Sequence, residues 1–273
     1  MQSTPLRTGR LWACALLAAA CATSATGRKQ LILMPEDELS QMGRQAFVSM
    51  KKQEPVDDDP RTNQYVSCVA RSLLQAIDAK PEQWEVVVFE SDQANAFALP
   101  GKKIGVFSGM LDVARTQDEL AAVLGHEIAH VTQRHSNERV SQAFVAQGGL
   151  AAASVALGGE GTTHDLALAA LGIGAQVGVL MPFGRTQESE ADVVGLDYMA
   201  RAGFDPRGAV QLWKNMEAEA GGSPPEFLST HPSHESRIDD LEKRLPEAWT
   251  LYQEARARGD APRCTVVSVS SRE

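Results

Sequence analysis

The sequence contains one pattern typical of a metal site, His126-Glu127-Ile128-Ala129-His130. Side chains four residues apart lie on one face of an α-helix, so the two histidines can present imidazole nitrogens to the same ion. Glu127 would then stand beside a water molecule at that ion, where a carboxylate can act as general base and acid. A chain with only six histidines rarely acquires this pattern by chance. The pattern therefore predicts a zinc site on a helix.

A catalytic zinc needs a third protein ligand, and the segment Glu188-Ser189-Glu190-Ala191-Asp192 offers one on a second predicted helix. We predict Glu188 as this ligand, because Asp192 one turn later can accept the outer N–H of a ligand histidine. Glu190 is the rival ligand by composition, although no carboxylate follows it at the same spacing. A solvated acidic helix face is the alternative, which the nearby histidine pattern makes the weaker interpretation.

Capping and turn signals predict the elements that must position these residues. Thr116-x-x-Glu119 is a capping box, and the apolar periodicity behind it predicts a helix that runs to about Arg139. Other helical patterns cover residues from about 35, from about 60, 187–201, from about 205, and 233–241, with a loop at 223–232. The β-rich segments are Trp84 to Glu90, Asn95 to Leu99 and Lys103 to Phe107, with a hairpin turn at Pro100-Gly101. The predicted fold class is α+β, mostly helical with a small sheet.

Four segments together resemble one known family: Asn95 to Gly101, Gly125 to Val131, Glu188 to Asp192 and Ser229 to Ser233. The family is that of the membrane-associated zinc metallopeptidases that include the CAAX prenyl proteases, HtpX, BepA and LoiP. The similarity runs from about residue 36 to residue 245 and looks closest to the single-domain lipoprotein form, LoiP. It implies a zincin-like metalloprotease fold whose edge strand lies beside the H-E-x-x-H helix, with one zinc ion per chain. Lys102 departs from the family, which often has glycine there.

The resemblance also implies roles for residues outside the three ligands. His231 either stabilises the oxyanion that develops during hydrolysis or binds the zinc directly in a resting, latched state. Arg237 is predicted as a weaker transition-state helper. The edge strand that an extended substrate would join is Asn95, Ala96, Phe97 and Ala98, although an ordinary hairpin strand fits this pattern equally well. The remaining histidines are predicted to be solvated: His135, His164 and His234.

The first twenty residues resemble an export signal. Arg7 and Arg10 precede the apolar run Leu11 to Ala20, which is too short to span a bilayer. The segment that ends at Cys21 resembles a lipobox, so we predict a lipoprotein-type signal over residues 1–20 and lipidation of Cys21. An ordinary cleaved signal is the alternative. Ala22 after the cysteine implies the outer membrane, and the predicted location is the bacterial periplasm with a lipid anchor in that membrane.

The rest of the chain is predicted to form one domain with short appendages. Residues 21–34 are predicted as a tether, 35–248 as the metallopeptidase domain, and 249–273 as a tail that packs back on it. Cys68 and Cys264 either form a disulfide in an oxidising compartment or remain two thiols. The apolar segment 149–181 has arms too short to cross a bilayer and is predicted to cover the core.

Composition and the predicted location limit the functions that this chain could have. A net charge of −9 argues against nucleic acid as a partner. We predict a zinc endopeptidase that hydrolyses misfolded or misassembled envelope proteins, with envelope proteases or assembly machinery as partners. One rival is a chaperone-like envelope lipoprotein with a latched zinc site and little proteolysis. The other is a scaffold with a structural zinc, which four Cys or His ligands would normally close.

Overall fold

The computed structural model describes residues 21–156, 183–219, 226–231 and 236–265. These residues form a mostly helical α+β fold, which confirms the predicted fold class. The helices are α1 (Glu36–Gln53), α2 (Pro60–Ala76), α3 (Met110–Val113), α4 (Gln117–Thr132), α5 (His135–Ala156), α6 (Arg185–Arg201), α7 (Arg207–Glu219), α8 (Glu226–Thr230) and α9 (Arg237–Arg258). The strands are β1 (Cys21–Thr23), β2 (Lys29–Leu31), β3 (Glu85–Phe89), β4 (Ala96–Leu99) and β5 (Lys103–Phe107).

The larger sheet has the strand order β3–β5–β4. β5 lies in the centre, parallel to β3 and antiparallel to β4. The β4–β5 hairpin turns at Gly101 and Lys102, whose φ angles are 84° and 64°. Glycine adopts this left-handed conformation readily, whereas Lys102 does so at a cost. Because β5 lies between β3 and β4, β4 is an edge strand of this sheet. It packs against α4.

α4 is the central helix of the fold and carries the H-E-x-x-H pattern. It begins where the sequence predicts, because Thr116 accepts a hydrogen bond from the backbone N–H of Glu119. α6 crosses α4 at very short range, since a Cβ atom on Gly125 would lie 2.8 Å from the carbonyl oxygen of Gly195. These two glycines let the helix with the histidines approach the helix with Glu188.

α4 is shorter than predicted. It ends at Thr132 rather than near Arg139, because Arg134 adopts a left-handed φ of 57° and a new helix, α5, begins at His135. Residues 132–139 are all polar and include no proline or glycine, so the sequence contains no signal for this break. The change of direction brings the start of α5 back toward the H-E-x-x-H histidines.

The prediction of a short helix over 233–241 is also wrong, because the helix in this region is much longer. α9 runs from Arg237 to Arg258, contains Pro246, and ends at Gly259 with a φ of 95°. Proline usually ends a helix, but Ala248 and Ala255 beyond it are fully buried, and packing against α6 and α7 keeps the chain helical. The predicted domain boundary at 248 therefore falls inside α9, and the predicted loop at 223–232 contains α8.

Both ends of the described chain pack against the main body. The predicted tether contains β1 and β2, which pair as an antiparallel hairpin and contact α5. At the other end a disulfide joins Cys68 of α2 to Cys264, and Gln117 hydrogen-bonds the backbone of Pro262 and Cys264.

The predicted signal at 1–20 and residues 157–181 of the predicted cover lie outside the described residues. Lipidation of Cys21, which opens β1, stays a prediction. Among the described helices, none is long and apolar enough to span a membrane.

Candidate metal centre

Four buried side chains converge on one point between α4, α6 and the end of α8. His126 and His130 come from α4, Glu188 from the first turn of α6, and His231 directly follows α8. Their candidate ligand atoms all lie within 4.8 Å of one another. His126 Nε2 is 2.9 Å from His130 Nε2 and 3.1 Å from His231 Nδ1. The structure thus brings the three predicted ligands together with the predicted loop histidine.

The donor set of this cluster fits a zinc ion. Two ring nitrogens at hydrogen-bond distance attract each other only when one of them carries a hydrogen. Three imidazoles whose lone pairs all face the same point lack these hydrogens, so a cation at that point is the better partner. Oε2 of Glu188 is buried without an aligned hydrogen-bond donor, although the guanidinium of Arg237 lies 3.2 Å away. Imidazole nitrogens and a carboxylate oxygen are the ligands of catalytic zinc sites. His126, His130 and Glu188 would hold the ion, with His231 as a fourth donor.

Asp192 and Arg237 support His126 from behind. Nδ1 of His126 lies 3.0 Å from Oδ1 of Asp192, so the carboxylate accepts the outer N–H and leaves Nε2 free to face the cluster. Arg237 binds the same carboxylate oxygen at 2.6 Å, and its guanidinium carbon lies 3.6 Å from the centroid of the Trp213 ring. The structure therefore places Asp192 behind His126 and Arg237 between Asp192 and Glu188.

His130 is supported by two residues that the sequence analysis missed. Its outer Nδ1 lies 3.0 Å from Nδ1 of His135, and the ring of Phe183 stacks on it with centroids 3.9 Å apart. His135 is fully buried, so the prediction that it is solvated is wrong. On a continuous helix a residue five positions on would face away from His130, and the turn at Arg134 creates the contact. The other two histidines predicted to be solvated lie outside the described residues: His164 and His234.

Glu127 faces the edge strand β4. Its Oε2 accepts a hydrogen bond from the backbone N–H of Ala98 at 3.1 Å, and its Oε1 lies 3.3 Å from Nε2 of His231. The Ala98 N–H binds Glu127 rather than β5, so it belongs to the open edge of the sheet. The predicted edge-strand residues are all buried beside the site: Asn95, Ala96, Phe97 and Ala98.

Burial and charge shift the pKa values of the cluster in different directions. Burial raises the pKa of Glu127 and lowers that of His130 well below its usual value. Burial opposes ionisation of Glu188, but the neighbouring His231 and His126 outweigh it and lower the pKa. Burial likewise opposes charge on His126, but the adjacent carboxylates of Asp192 and Glu188 raise its pKa to about 9. The carboxylates therefore favour a positive charge at this point, which a bound cation supplies.

Comparison with known proteins agrees with this geometry. Residues 60–245 match peptidase family M48. The chain belongs to this family. The predicted family of zinc metallopeptidases is thus confirmed, as is zinc as the cofactor. The M48 match and the names of the relatives support the predicted metalloendopeptidase class.

Relatives in this family come from mitochondria and from bacteria. The mitochondrial metalloendopeptidase OMA1 of Schizosaccharomyces pombe is 41% identical over 191 residues, which cover 68% of this chain and 54% of the relative. The mitochondrial metalloendopeptidase OMA1 of Danio rerio is 34% identical over 253 residues, with 87% and 52% covered. The beta-barrel assembly-enhancing protease of Escherichia coli is 28% identical over 214 residues, with 75% and 43% covered. The chain spans about half the length of these relatives.

These relatives correct two finer predictions. The predicted location in the bacterial periplasm, anchored to the outer membrane, is contradicted, because the OMA1 relatives from yeasts, animals and a plant are mitochondrial proteins. Arginines ahead of an apolar run occur in more than one type of targeting segment, so the leader could not decide the compartment. The predicted closeness to LoiP is replaced by similarity to OMA1 and to the beta-barrel assembly-enhancing protease.

Proposed function

We propose that this chain is a zinc-dependent endopeptidase that hydrolyses peptide bonds in misfolded or misassembled proteins. The observation that carries the proposal is the convergence of His126, His130 and Glu188 on one buried point, with Glu127 beside it. Two histidines, a glutamate ligand and an adjacent free carboxylate are the combination that metal-assisted hydrolysis requires.

Glu127 provides the proton transfers of the reaction. When bound, the zinc ion acts as a Lewis acid toward the scissile carbonyl. Glu127 takes a proton from the attacking water and passes it to the leaving amine. Burial raises the pKa of Glu127 above its usual value, which makes it a better base. Among the described residues, none forms an aligned hydrogen bond with its Oε1. Asp192 keeps the outer proton of His126 in place during these steps.

The open edge of β4 provides the substrate site. An extended peptide that adds to this edge takes its main-chain hydrogen bonds from groups such as the Ala98 N–H. That N–H is now bound to Glu127, so substrate binding replaces the contact and frees the carboxylate for catalysis. Recognition through the backbone makes few demands on side chains, which suits unfolded segments of many proteins.

His231 has two roles in succession under this proposal. Its Nδ1 lies 3.0 Å from Oε1 of Glu188, and its Nε2 faces Glu127, so the ring fills the space between ligand and base. This is a latched state. Displacement of the ring by substrate opens the site, and the imidazole then donates a hydrogen bond to the developing oxyanion.

The relatives' names support protein substrates. They are described as metalloendopeptidases and as a beta-barrel assembly-enhancing protease. We propose assembly machinery as the class of partner by analogy with the latter. The alternative function is a chaperone-like protein with little proteolysis, and the observation that favours it is the position of His231 within the ligand cluster.

The variant Glu127→Gln tests the proposal on zinc-loaded protein with an unfolded, fluorescently labelled protein as substrate. Cleavage should fall at least about 100-fold, because the amide cannot accept the proton. Zinc content should remain that of the wild type, since Glu127 is not a ligand. The control Glu242→Gln changes an exposed glutamate of α9 and should cleave at the wild-type rate.

Two outcomes would contradict the endopeptidase proposal. Equal cleavage by the wild type and Glu127→Gln would show that Glu127 does not transfer protons in the reaction. Absence of cleavage by the zinc-loaded wild type, combined with suppression of substrate aggregation by both proteins, would establish the chaperone-like alternative.

A further inference from the structure

A second buried polar group lies behind His130 and joins two helices, α5 and α6, to the N-terminal hairpin. We call it the rear cluster; it consists of Arg28, His135, Glu138, Gln187 and Glu190. The four helical members are at most 6% exposed, and the side chain of Arg28 is 22% exposed. Of these residues, His135 contacts a proposed zinc ligand directly, through its Nδ1.

The hydrogen-bond directions in the rear cluster follow from its chemistry. Glu190 is paired with Arg28 and is therefore an ionised carboxylate, which only accepts. His135 Nε2 lies 3.1 Å from Oε2 of Glu190, so it must donate. A neutral imidazole has one donor and one acceptor, so Nδ1 of His135 accepts from Nδ1 of His130. This leaves a lone pair on His130 Nε2, which faces the cluster of ligands.

The hairpin of β1 and β2 holds Glu190 in this position. Arg28 donates to Oε2 of Glu190 from Nε at 2.9 Å and from Nη2 at 2.7 Å, while Thr26 donates to Oε1 at 2.5 Å. The same guanidinium binds both oxygens of Glu138 at 2.5 and 2.8 Å. Gln187 donates to Glu138 at 2.9 Å and ties α6 to α5. One arginine thus compensates two buried carboxylates from different helices.

We propose that His135 and Glu190 position the zinc ligand His130, and that Arg28 of the hairpin holds Glu190 for this purpose. The inference rests on the proposed zinc centre and extends it to residues outside the H-E-x-x-H pattern. His126 has its own carboxylate, Asp192, so each ligand histidine is oriented by a separate chain of partners. Partners of this kind change metal affinity by about 10–100-fold when they are removed.

Zinc affinity of the whole chain, measured by competition with a chromophoric chelator, tests the proposal. His135→Phe keeps an aromatic ring but removes both hydrogen bonds, and it should bind zinc about 10–100-fold more weakly than the wild type. His135→Asn retains an acceptor near the place of Nδ1 and should recover most of this loss. Arg28→Met should weaken zinc binding, whereas Arg258→Met, which breaks an exposed ion pair with Asp260, should not.

Replacement of zinc by cobalt(II) gives a visible absorption spectrum, which would not change if His135 had a merely structural role. The visible absorption bands should shift in His135→Phe and return toward the wild-type bands in His135→Asn, because they report the ligand field at the metal ion, to which His130 would contribute. Circular dichroism and thermal melting establish that each variant is folded. If His135→Phe does not fold, Glu190→Gln, which keeps the shape of the side chain, should show a several-fold loss of zinc affinity.

The outcomes separate this inference from the proposed function. A wild-type chain that binds no zinc would overturn the proposed zinc centre and this inference with it. A wild type that binds zinc, together with a folded His135→Phe or Glu190→Gln of equal affinity, would overturn the positioning role alone.

Discussion

At Arg237 a full positive charge lies in the interior, with 2% of the residue exposed. The guanidinium pairs with Asp192 at 2.6 Å, lies 3.2 Å from Glu188, and covers the ring of Trp213. A buried charge is tolerated when opposite charges compensate it, and loss of one partner leaves the others uncompensated in a poorly solvated place. Arg237 is therefore expected to hold the carboxylates behind the ligand set.

We expect Arg237→Met to lower the free energy of unfolding of the metal-free protein by about 3–5 kcal/mol. The methionine fills part of the space, but Asp192 and Glu188 then repel each other without compensation. Urea denaturation in the presence of a chelator measures the difference. As a control, Arg115→Met breaks an exposed pair with Glu219 and should cost less than about 1 kcal/mol. Equal costs for the two variants would show that Arg237 does not compensate the buried carboxylates.

Among the elements, the crossing of α4 and α6 decides whether the ligands can meet. α4 supplies both histidines and α6 supplies Glu188, and their backbones touch at Gly125 and Gly195. A Cβ atom on Gly195 would lie 2.7 Å from the backbone nitrogen of His126, which no rotamer change can relieve. The two helices would have to move apart, and the ligands with them.

Gly195→Ala should therefore destabilise the protein and weaken zinc binding together. Alanine is favoured over glycine inside a helix, so a destabilisation of about 1–3 kcal/mol would have to come from the overpacked crossing. Thermal melting and chelator competition measure the two effects. The control is Gly184→Ala at the N-cap of α6, where the nearest atom to a new Cβ is 3.8 Å away. Zinc affinity should stay at the wild-type level, and the loss of stability should stay below about 1 kcal/mol, because only the capping preference changes. A more stable Gly195→Ala with unchanged zinc affinity would refute the argument.

For the whole molecule, long-range connections hold the two ends of the described chain on the body. The hairpin of β1 and β2 is fastened by Arg28, and the segment after α9 is fastened by Gln117 and by the disulfide. Cys68 and Cys264 are 196 positions apart in sequence. A crosslink of this span restricts the unfolded chain strongly, so it stabilises the folded state without touching the metal centre.

Replacement of both cysteines by alanine should lower the free energy of unfolding by about 2–5 kcal/mol. Zinc affinity should remain within about two-fold of the wild type, because neither cysteine contacts a proposed ligand. Urea denaturation with and without a reductant measures the effect. The reductant should destabilise the wild type and leave the double variant unchanged. Identical denaturation midpoints for the wild type and the variant under oxidising conditions would contradict the prediction.

Much of the candidate site could be predicted from local sequence. His126, Glu127 and His130 are placed by the geometry of one helix, and the capping signal at Thr116 located its start. Glu188 and Asp192 were inferred in the same way, from one helical turn. The β4–β5 hairpin followed from its turn residues. Each of these predictions depends on spacings of a few residues, which hold whatever the rest of the chain does.

The sequence by itself determined which side chains could hold and use a zinc ion, because helical spacing is a local property. Only the tertiary structure decided that His135 and Phe183 contact His130. The contact of His135 needs the left-handed turn at Arg134, and the contact of Phe183 joins segments that are distant in the sequence. It also decided that Arg28 belongs to the same unit, 110 positions from Glu138 and 162 from Glu190. Such contacts arise from packing between helices and from the pairing of buried charges, neither of which leaves a short-range pattern in the sequence.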